Sequence, residues 1–241
     1  KELPNRLLIA EESTSFANIT KAPEDGGLGF HYKWNMGWMN DFLSYMEKEP
    51  IHRKFHHNLL TFSLYYAYSE KFILVLSHDE VVHGKGSLLE KMPGDDWQKF
   101  ANLRLLLGFM FSHPGKKLLF MGSEFAQRKE WNSKTSLEWD HLNHAPHLQV
   151  SEMLTQLNKL YTSTSALYEI DHSHDGFQWL ECEDADQSII SFVRYDKKGK
   201  EIVVMCNFTP IPRSRHRFGM PSSGKWSEIF NTDSAQWGGT N

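Results

Sequence analysis

Three acidic side chains stand just after short apolar runs of the sequence. They are Glu11 after residues 7–10, Asp79 after residues 72–76 and Glu124 after residues 117–121. Retaining cleavage of a glycosidic bond needs a carboxylic acid that protonates the leaving oxygen and a second carboxylate about 5 to 5.5 Å from it. These residue types therefore fit chemistry on sugars. The alternative for any one of them is that it caps the helix that follows, where acidic residues are favoured.

Aromatic residues accompany the carboxylates. Tyr32 and Trp34 follow the second apolar run, Trp38 begins a helical pattern, and Trp131 lies in a loop after the fourth run. An exposed aromatic face can stack on a sugar ring, whereas tryptophans at helical spacing more often belong to the core. The net charge of −4 and the 13% aromatic content favour a neutral polysaccharide as the partner.

The elements that would position these residues alternate between strands and helices. Four apolar runs of about 4 to 8 residues are typical of parallel strands buried on both faces. They cover residues 7–10, 28–32, 72–76 and 117–121. Helical patterns cover residues 38–46, a segment from Asp95 or Asp96 to about residue 114, and residues 150–161. This alternation predicts an α/β fold with a parallel sheet, and in a parallel barrel the carboxyl ends of all strands open onto the face that carries the active site.

The pattern changes after residue 170. Strand-like segments then follow one another without helices, at residues 177–180, 188–195, 201–208 and 226–230. Such a run of short strands predicts an antiparallel all-β unit. The sequence thus predicts two domains, an α/β part over residues 1–170 and the incomplete start of an all-β domain over residues 171–241.

Composition narrows the classes of partner and location. The 26 basic and 30 acidic residues include no basic block that could hold a phosphate backbone, so nucleic acid is not expected to bind. No apolar run approaches the roughly 18 residues of a membrane span, and residues 1–4 do not resemble a signal peptide, so no membrane association is expected. The only cysteines, Cys182 and Cys206, suggest a reducing compartment, and we expect a cytoplasmic protein.

The 13 histidines raise the question of a metal site. His141, His144 and His147 recur at spacings of three residues. A zinc site needs three or four converging ligands with hydrogen-bonded support, and this segment reads as a loop with surface histidines. We therefore expect neither a metal nor a cofactor.

Longer motifs carry a resemblance to a known family. They are IAEEST (residues 9–14), GGLGF (26–30), YKWNMGWM (32–39), LSHDEVVHGK (76–85), MPGD (92–95), KKLLFMGSEFAQ (116–127), EWN (130–132) and NFTP (207–210). In this order they resemble the bacterial 1,4-α-glucan (glycogen) branching enzymes of the α-amylase superfamily, glycoside hydrolase family 13. The resemblance covers nearly the whole chain.

This resemblance implies a fold and a set of roles. The fold would be the C-terminal half of a (β/α)8 barrel, with strands five to eight, followed by part of an all-β sandwich domain. Glu11 would be the general acid/base and Asp79 the carboxylate that stabilises the transition state. His78, Trp34 and Lys33 would contact the substrate.

The implied activity is retaining transglycosylation, which cleaves an α-1,4 bond of a glucan and transfers the fragment to a 6-hydroxyl as an α-1,6 branch. The partner would be an α-1,4-glucan, and the enzyme is expected to act as a monomer. The family's attacking aspartate, at the end of the fourth barrel strand, falls upstream of residue 1, and the chain begins with Lys1 instead of Met. We therefore expect a C-terminal fragment that is inactive alone. The alternatives are another glucan hydrolase or debranching enzyme of the superfamily and a non-catalytic remnant.

The remaining acidic residues near the site have simpler interpretations. Glu12 and Glu80 adjoin the two candidates, and each is expected to bond a neighbouring backbone group or a lysine such as Lys33 or Lys85. Glu124 resembles a family position near the end of strand eight, where a structural role is expected.

Overall fold

Four short parallel strands form the first sheet of the computed structural model, which describes residues 6–241. They lie in the order β1 (Ile9–Ala10), β2 (Tyr32–Trp34), β3 (Phe72–Leu76) and β4 (Lys116–Leu119). Each neighbouring pair is parallel, and β3 is buried along its whole length. This confirms the predicted parallel sheet. The first strand is shorter than expected, since Leu7 and Leu8 precede it and are exposed.

Four α-helices pack beside this sheet. They are α1 (Met36–Met46), α2 (Asn58–Thr61), α3 (Asp96–Ser112) and α4 (Ala145–Ser163). The Asn35 side chain caps α1 by accepting from the Trp38 amide at 2.9 Å. Asp95, not Asp96, caps α3, because its carboxylate accepts from the Gln98 amide at 2.9 Å while the Gln98 side chain accepts from the Asp95 amide at 2.8 Å. This reciprocal pair fixes where the long helix begins.

Short 3-10 turns connect the elements at Pro23–Asp25, Pro50–His56, Phe62–Tyr65, His78–Val81, Ser123–Phe125, Trp139–Asn143, Ser165–Leu167, His174–Gly176 and Ala235–Trp237. The core lies between the sheet and helices α1, α3 and α4. Trp38 is 2% exposed there and packs against Phe42. The helical tryptophan is therefore a core residue.

The second predicted strand lies further along the chain than expected. Residues 28–30 are not part of the sheet, and β2 begins at Tyr32. The backbone of this segment bonds the loop that precedes it, since the Gly29 amide donates to the Lys21 carbonyl at 2.9 Å. Gly29 also has φ +76°, a left-handed conformation that interrupts a strand.

Three antiparallel strands form the second sheet. They are β5 (Phe177–Glu181), β6 (Ile189–Tyr195) and β7 (Glu201–Asn207), in that order. This confirms the predicted antiparallel sheet, while the domain boundary at residue 170 stays a prediction. Phe208 follows β7 and packs edge-on against Tyr45 of α1, with ring centroids 5.3 Å apart. The residue at the end of the antiparallel sheet therefore contacts helix α1.

The predicted strand at residues 226–230 is wrong. Within residues 6–241 this segment pairs with no strand, and Trp226 and Ile229 are exposed. Phe230 stacks instead on Trp237 with ring centroids 6.3 Å apart. A strand needs a neighbour that satisfies its backbone hydrogen bonds, and apolar spacing alone does not supply one.

A buried ion pair joins the two sheets. Arg194 of β6 and Asp171 are both fully buried, and the guanidinium Nη2 lies 2.6 Å from the carboxylate Oδ1. Arg194 also donates to the carbonyls of Ser112, which ends α3, and Gly176, which precedes β5. Lys116, the first residue of β4, binds the other oxygen of Asp171 at 3.0 Å. One carboxylate thus connects the parallel sheet to the antiparallel one.

The charges around Asp171 outweigh its burial. Burial acts to raise the pKa of this carboxyl, but Lys117, Arg194 and Lys116 together hold the pKa below its usual value. The carboxylate is therefore an anion across the neutral range. A depressed pKa stabilises the fold above the unfolded value and loses that contribution as the pH falls through the folded one.

Two further buried arginines bond backbone carbonyls of the C-terminal part. Arg53, 1% exposed, donates to the carbonyls of Phe208 at 2.9 Å and Met46 at 2.8 Å. Arg104 of α3, 2% exposed, donates to the Thr232 carbonyl at 2.9 Å. Each guanidinium therefore satisfies buried carbonyl groups that would otherwise lack donors.

Within the described residues, no helix is long and apolar enough to cross a membrane.

The substitution Arg194→Met tests the ion pair. It removes the fully buried cation that pairs with the Asp171 carboxylate and leaves two carbonyl groups without their Arg194 donor, so the free energy of unfolding should fall by about 3 to 5 kcal/mol. Urea unfolding of the protein measures this. The matched control is Lys197→Met, since Lys197 lies 4.0 Å from Glu169 on an exposed surface and its loss should cost less than about 1 kcal/mol. Equal effects of the two substitutions would contradict the role assigned to Arg194.

Candidate active site

The carboxyl ends of the four parallel strands bring the predicted residues to one edge of the sheet. Glu11 directly follows β1, and Asp79 lies in the turn His78–Val81 that follows β3. Between them stands β2, so the backbones of β1 and β3 are about 10 Å apart, two strand spacings. Two side chains can reach one sugar residue across such a gap.

A capping box shapes the turn that carries Asp79. The Ser77 hydroxyl accepts from the Asp79 amide at 3.3 Å, and the Glu80 carboxylate accepts from the Ser77 amide. Glu80 is 4% exposed. Its carboxylate is therefore committed to the backbone, as the sequence predicted, and only Asp79 of the two acids presents its carboxylate to solvent.

His78 and Asp79 form a pair at the open edge. The His78 Nε2 lies 3.2 Å from the Asp79 Oδ1, and both side chains are nearly half exposed. The His78 ring also lies 5.9 Å from the Phe120 ring, which follows β4. The structure thus brings the two residues into contact, and both side chains are accessible to solvent.

Lys33 forms a second pair with Glu12, the residue that follows Glu11 in the sequence. The Lys33 ammonium lies 2.6 Å from the Glu12 Oε2 and donates to the Thr14 carbonyl at 3.2 Å. Lys33 is 7% exposed. This is the contact that the sequence predicted for Glu12. Because Lys33 bonds both Glu12 and Thr14, it holds the segment that follows Glu11.

The pair with Lys33 changes the pKa of Glu12. The hydrogen bond from Lys33, followed by the bond from Thr14, lowers the pKa of Glu12 from 4.5 to about 2. The Thr14 amide also donates to the Glu12 Oε1 at 2.6 Å. Glu12 is therefore an anion that holds the loop after β1, while Glu11 is exposed.

The aromatic candidates lie in different environments. Tyr32 and Trp34 alternate with Lys33 along β2, are half-buried and pack against the hydrophobic core. Trp131 is half-buried beside Phe120, with ring centroids 5.2 Å apart. The substrate contacts predicted for Trp34, Lys33 and His78 stay predictions.

The histidine-rich segment is part of the packing. The His141 ring stacks on the His147 ring at 4.4 Å, and the His147 Nδ1 lies 3.0 Å from the Phe125 carbonyl. Among residues 6–241, no three histidine, cysteine or acidic side chains are grouped so as to hold a metal ion. Glu124 lies nearby in the turn Ser123–Phe125 after β4.

Two contacts near Asp79 were not predicted from the sequence. Lys85 donates to the Asp79 carbonyl at 2.8 Å and not to Glu80. Glu130 accepts from the Gly86 amide at 2.6 Å across 44 residues of chain. The EWN motif pointed to Glu130, but no local pattern names a partner so far away.

Comparisons with known proteins show which proteins the chain is similar to. The model of the family described as the alpha amylase, C-terminal all-beta domain matches residues 179–241. The chain is 55% identical over all of its 241 residues to the 1,4-alpha-glucan branching enzyme GlgB of Aquifex aeolicus (strain VF5), and covers 38% of that protein. It is 54% identical over 239 residues to the enzyme of the same name from Paraburkholderia xenovorans (strain LB400), covering 32% of it.

Over its whole length the chain is similar to 1,4-α-glucan branching enzymes. It spans about a third of the length of the curated relatives that it matches.

A solved structure shows the fold that the chain shares with other proteins. The type I pullulanase from Bacillus subtilis str. 168, solved with maltose, superposes with a TM-score of 0.61 over 86% of this chain and 33% of its own, at 17% identity. The fold of this chain is thus half of a (β/α)8 barrel followed by an all-β domain, as predicted.

The pair of Lys33 and Glu12 gives a measurable pKa. Because the folded pKa of Glu12 is depressed, the stabilisation from the pair is fully present above about pH 4.5 and is lost as the pH falls towards 2. In Lys33→Met, an NMR titration of the Glu12 carboxyl should give a pKa shifted up towards 4.5. The exposed Lys21→Met variant serves as the control and should leave that pKa near 2. An unchanged value in Lys33→Met would show that Lys33 does not hold Glu12.

Proposed function

We propose that the full-length protein is a 1,4-α-glucan branching enzyme and that this chain supplies its general acid/base, Glu11, and its transition-state stabiliser, Asp79. The observation that carries the proposal is the placement of both residues at the carboxyl edge of one parallel sheet, in a chain that is similar to branching enzymes over its whole length. The residues beside them are already bonded elsewhere, Glu12 to Lys33 and Glu80 to Ser77.

In the first half of the proposed reaction, Glu11 protonates the glycosidic oxygen of an α-1,4-glucan as the bond from C1 to that oxygen breaks. The family's aspartate nucleophile, which this sequence does not include, bonds to C1. The Asp79 carboxylate stabilises the positive charge that develops on the sugar ring. No metal or cofactor takes part.

In the second half, the Glu11 carboxylate removes the proton from a 6-hydroxyl of an acceptor glucan. The acceptor oxygen attacks C1, the enzyme carboxylate leaves, and an α-1,6 branch results. Two inversions at C1 retain its configuration. Glu11 is protonated again and ready for the next cycle.

The neighbouring side chains have supporting roles in this proposal. Lys33 holds the loop of Glu11 through Glu12, in addition to its predicted substrate contact. His78 shares its Nε2 with Asp79 and faces the same edge as the sugar. Trp34 contributes an apolar ring at the end of β2.

We further propose a cytoplasmic monomer with glucan as its partner, and neither nucleic acid nor membrane. Cys182 and Cys206 are both free thiols, and burial raises the pKa of Cys206 to about 12. Unpaired cysteines are typical of reducing compartments.

Substitutions of the two carboxylates in the full-length protein test the proposal. Glu11→Gln removes the proton donor and should lower branching of amylose by about 10²- to 10⁴-fold. Asp79→Asn removes the charge that stabilises the transition state and should lower it similarly. Iodine staining and counting of α-1,6 linkages after debranching measure the rate. The control is Glu24→Gln, an exposed acid in the loop between β1 and β2.

A substrate with an activated leaving group separates the two roles. An α-maltosyl fluoride needs no protonation when fluoride leaves, so Glu11→Gln should still release fluoride in the first step, whereas Asp79→Asn should not. Near wild-type branching by either variant would contradict the assignment. Release of reducing sugar without new branch points by the wild-type protein would identify a hydrolase instead.

A further inference from the structure

The loop after β3 adopts a conformation that needs an outside support. Directly beyond the turn that carries Asp79, three residues have left-handed backbones: His83 with φ +58°, Gly84 with φ +81° and Gly86 with φ +74°. A non-glycine residue rarely adopts such a conformation unless the surrounding structure imposes it.

Glu130 supplies that support from the loop after β4. Its carboxylate Oε1 accepts from the Gly86 amide at 2.6 Å. The bonds from the Gly86 and then the Gly84 amides lower the pKa of Glu130, so it is an anion when it holds them. A carboxylate bonded to backbone N–H groups forms one of the stronger kinds of hydrogen bond in proteins.

The residue after Glu130 holds the same loop at its other end. The Trp131 amide donates to the Val81 carbonyl at 3.0 Å. The Trp131 ring packs edge-on against the Phe120 ring, and the Phe120 ring contacts the ring of His78. Residues 130 and 131 therefore hydrogen-bond to both ends of the segment 81–86, Trp131 to Val81 and Glu130 to Gly86.

The held loop reaches back to the proposed stabiliser. The Lys85 ammonium donates to the Asp79 carbonyl at 2.8 Å, and the Lys91 ammonium donates to the Lys85 carbonyl at 2.6 Å. Lys85 directly precedes Gly86, whose amide donates to Glu130. A shift of the loop therefore moves the lysine that is attached to Asp79.

We infer that Glu130 is a positioning residue that sets the place of Asp79 through the loop of residues 81–86. It does not act on the substrate itself. The inference rests on the proposed function for its kinetic consequence, while the clamp between Glu130 and the loop stands on the hydrogen bonds alone.

Kinetics of Glu130 variants in the full-length protein test the inference. Glu130→Ala should lower kcat for amylose branching by about 10- to 100-fold, because a small misplacement of a reacting group has effects of that size, and should leave KM within about 2-fold. An interaction made only in the transition state shows this pattern. Glu130→Gln keeps an acceptor oxygen and should recover part of the lost rate.

A backbone variant tests the same loop without touching Glu130. In Gly86→Ala the new Cβ has its nearest neighbour, the Glu90 Cβ, at 3.8 Å, so the change acts by disfavouring the positive φ. It should lower kcat as Glu130→Ala does, and the double variant should lose less than the product of the two single effects.

Matched controls lie in the β domain. Glu181→Ala removes the same kind of bond, since the Glu181 carboxylate accepts from the Glu183 amide at 2.7 Å. Gly199→Ala changes a glycine with φ +76° and nothing within 4 Å of its new Cβ. Both should keep wild-type kcat, and circular dichroism should show every variant folded.

Amide hydrogen exchange provides a readout that needs no activity. The Gly84 and Gly86 amides should exchange faster in Glu130→Ala than in the wild-type protein. Unchanged exchange and unchanged kcat in a wild-type background that branches glucan would overturn the inference and leave the proposed function intact. A rise in KM with constant kcat would also overturn it, since Glu130 would then contact substrate. If the wild-type protein forms no branches, the proposed function fails, and exchange alone decides whether the clamp exists.

Discussion

The ion pair between Arg194 and Asp171 is the interaction on which the arrangement of both sheets depends. Two fully buried charges are tolerated only when each is paired and hydrogen-bonded, and here Arg194 reaches the end of α3 and the start of β5 while Asp171 also binds Lys116 at the start of β4. The β domain is therefore attached to the strand whose following loop carries Glu130. Strand β4 therefore contributes both to the attachment of the β domain and to the position of the loop at the site.

The acidic residues at the candidate site differ in what they bond. Glu12 is bonded to a buried lysine, Glu80 to the backbone of its own turn, and Glu130 to the backbone of another loop. Each therefore has a structural task. Glu11 and Asp79 remain at the open edge of the sheet. Environment, more than residue type, separates an acid that stays exposed at the edge of the sheet from an acid that holds a loop.

The fold and the activity have different determinants. A pullulanase with 17% identity superposes on this chain, so the half-barrel with its β domain is shared by proteins with different names and does not specify a reaction. The residues most concerned with chemistry lie in the turns after the strands, on backbones that the sheet holds at fixed spacing.

The sequence by itself determined the kind of sheet, a helix cap at Asp95 or Asp96 and the edge of the sheet that Glu11 and Asp79 follow, because these depend on apolar spacing and on bonds within a few residues. It misplaced the strand at residues 28–32 and predicted a strand at residues 226–230 that does not form, since a strand exists only where a neighbour accepts its hydrogen bonds. Only the tertiary structure decided which groups bond across long stretches of the chain, the Arg194 guanidinium with the Asp171 carboxylate and the Glu130 carboxylate with the Gly86 amide. Such pairs depend on packing that brings distant segments together, and no local pattern records it.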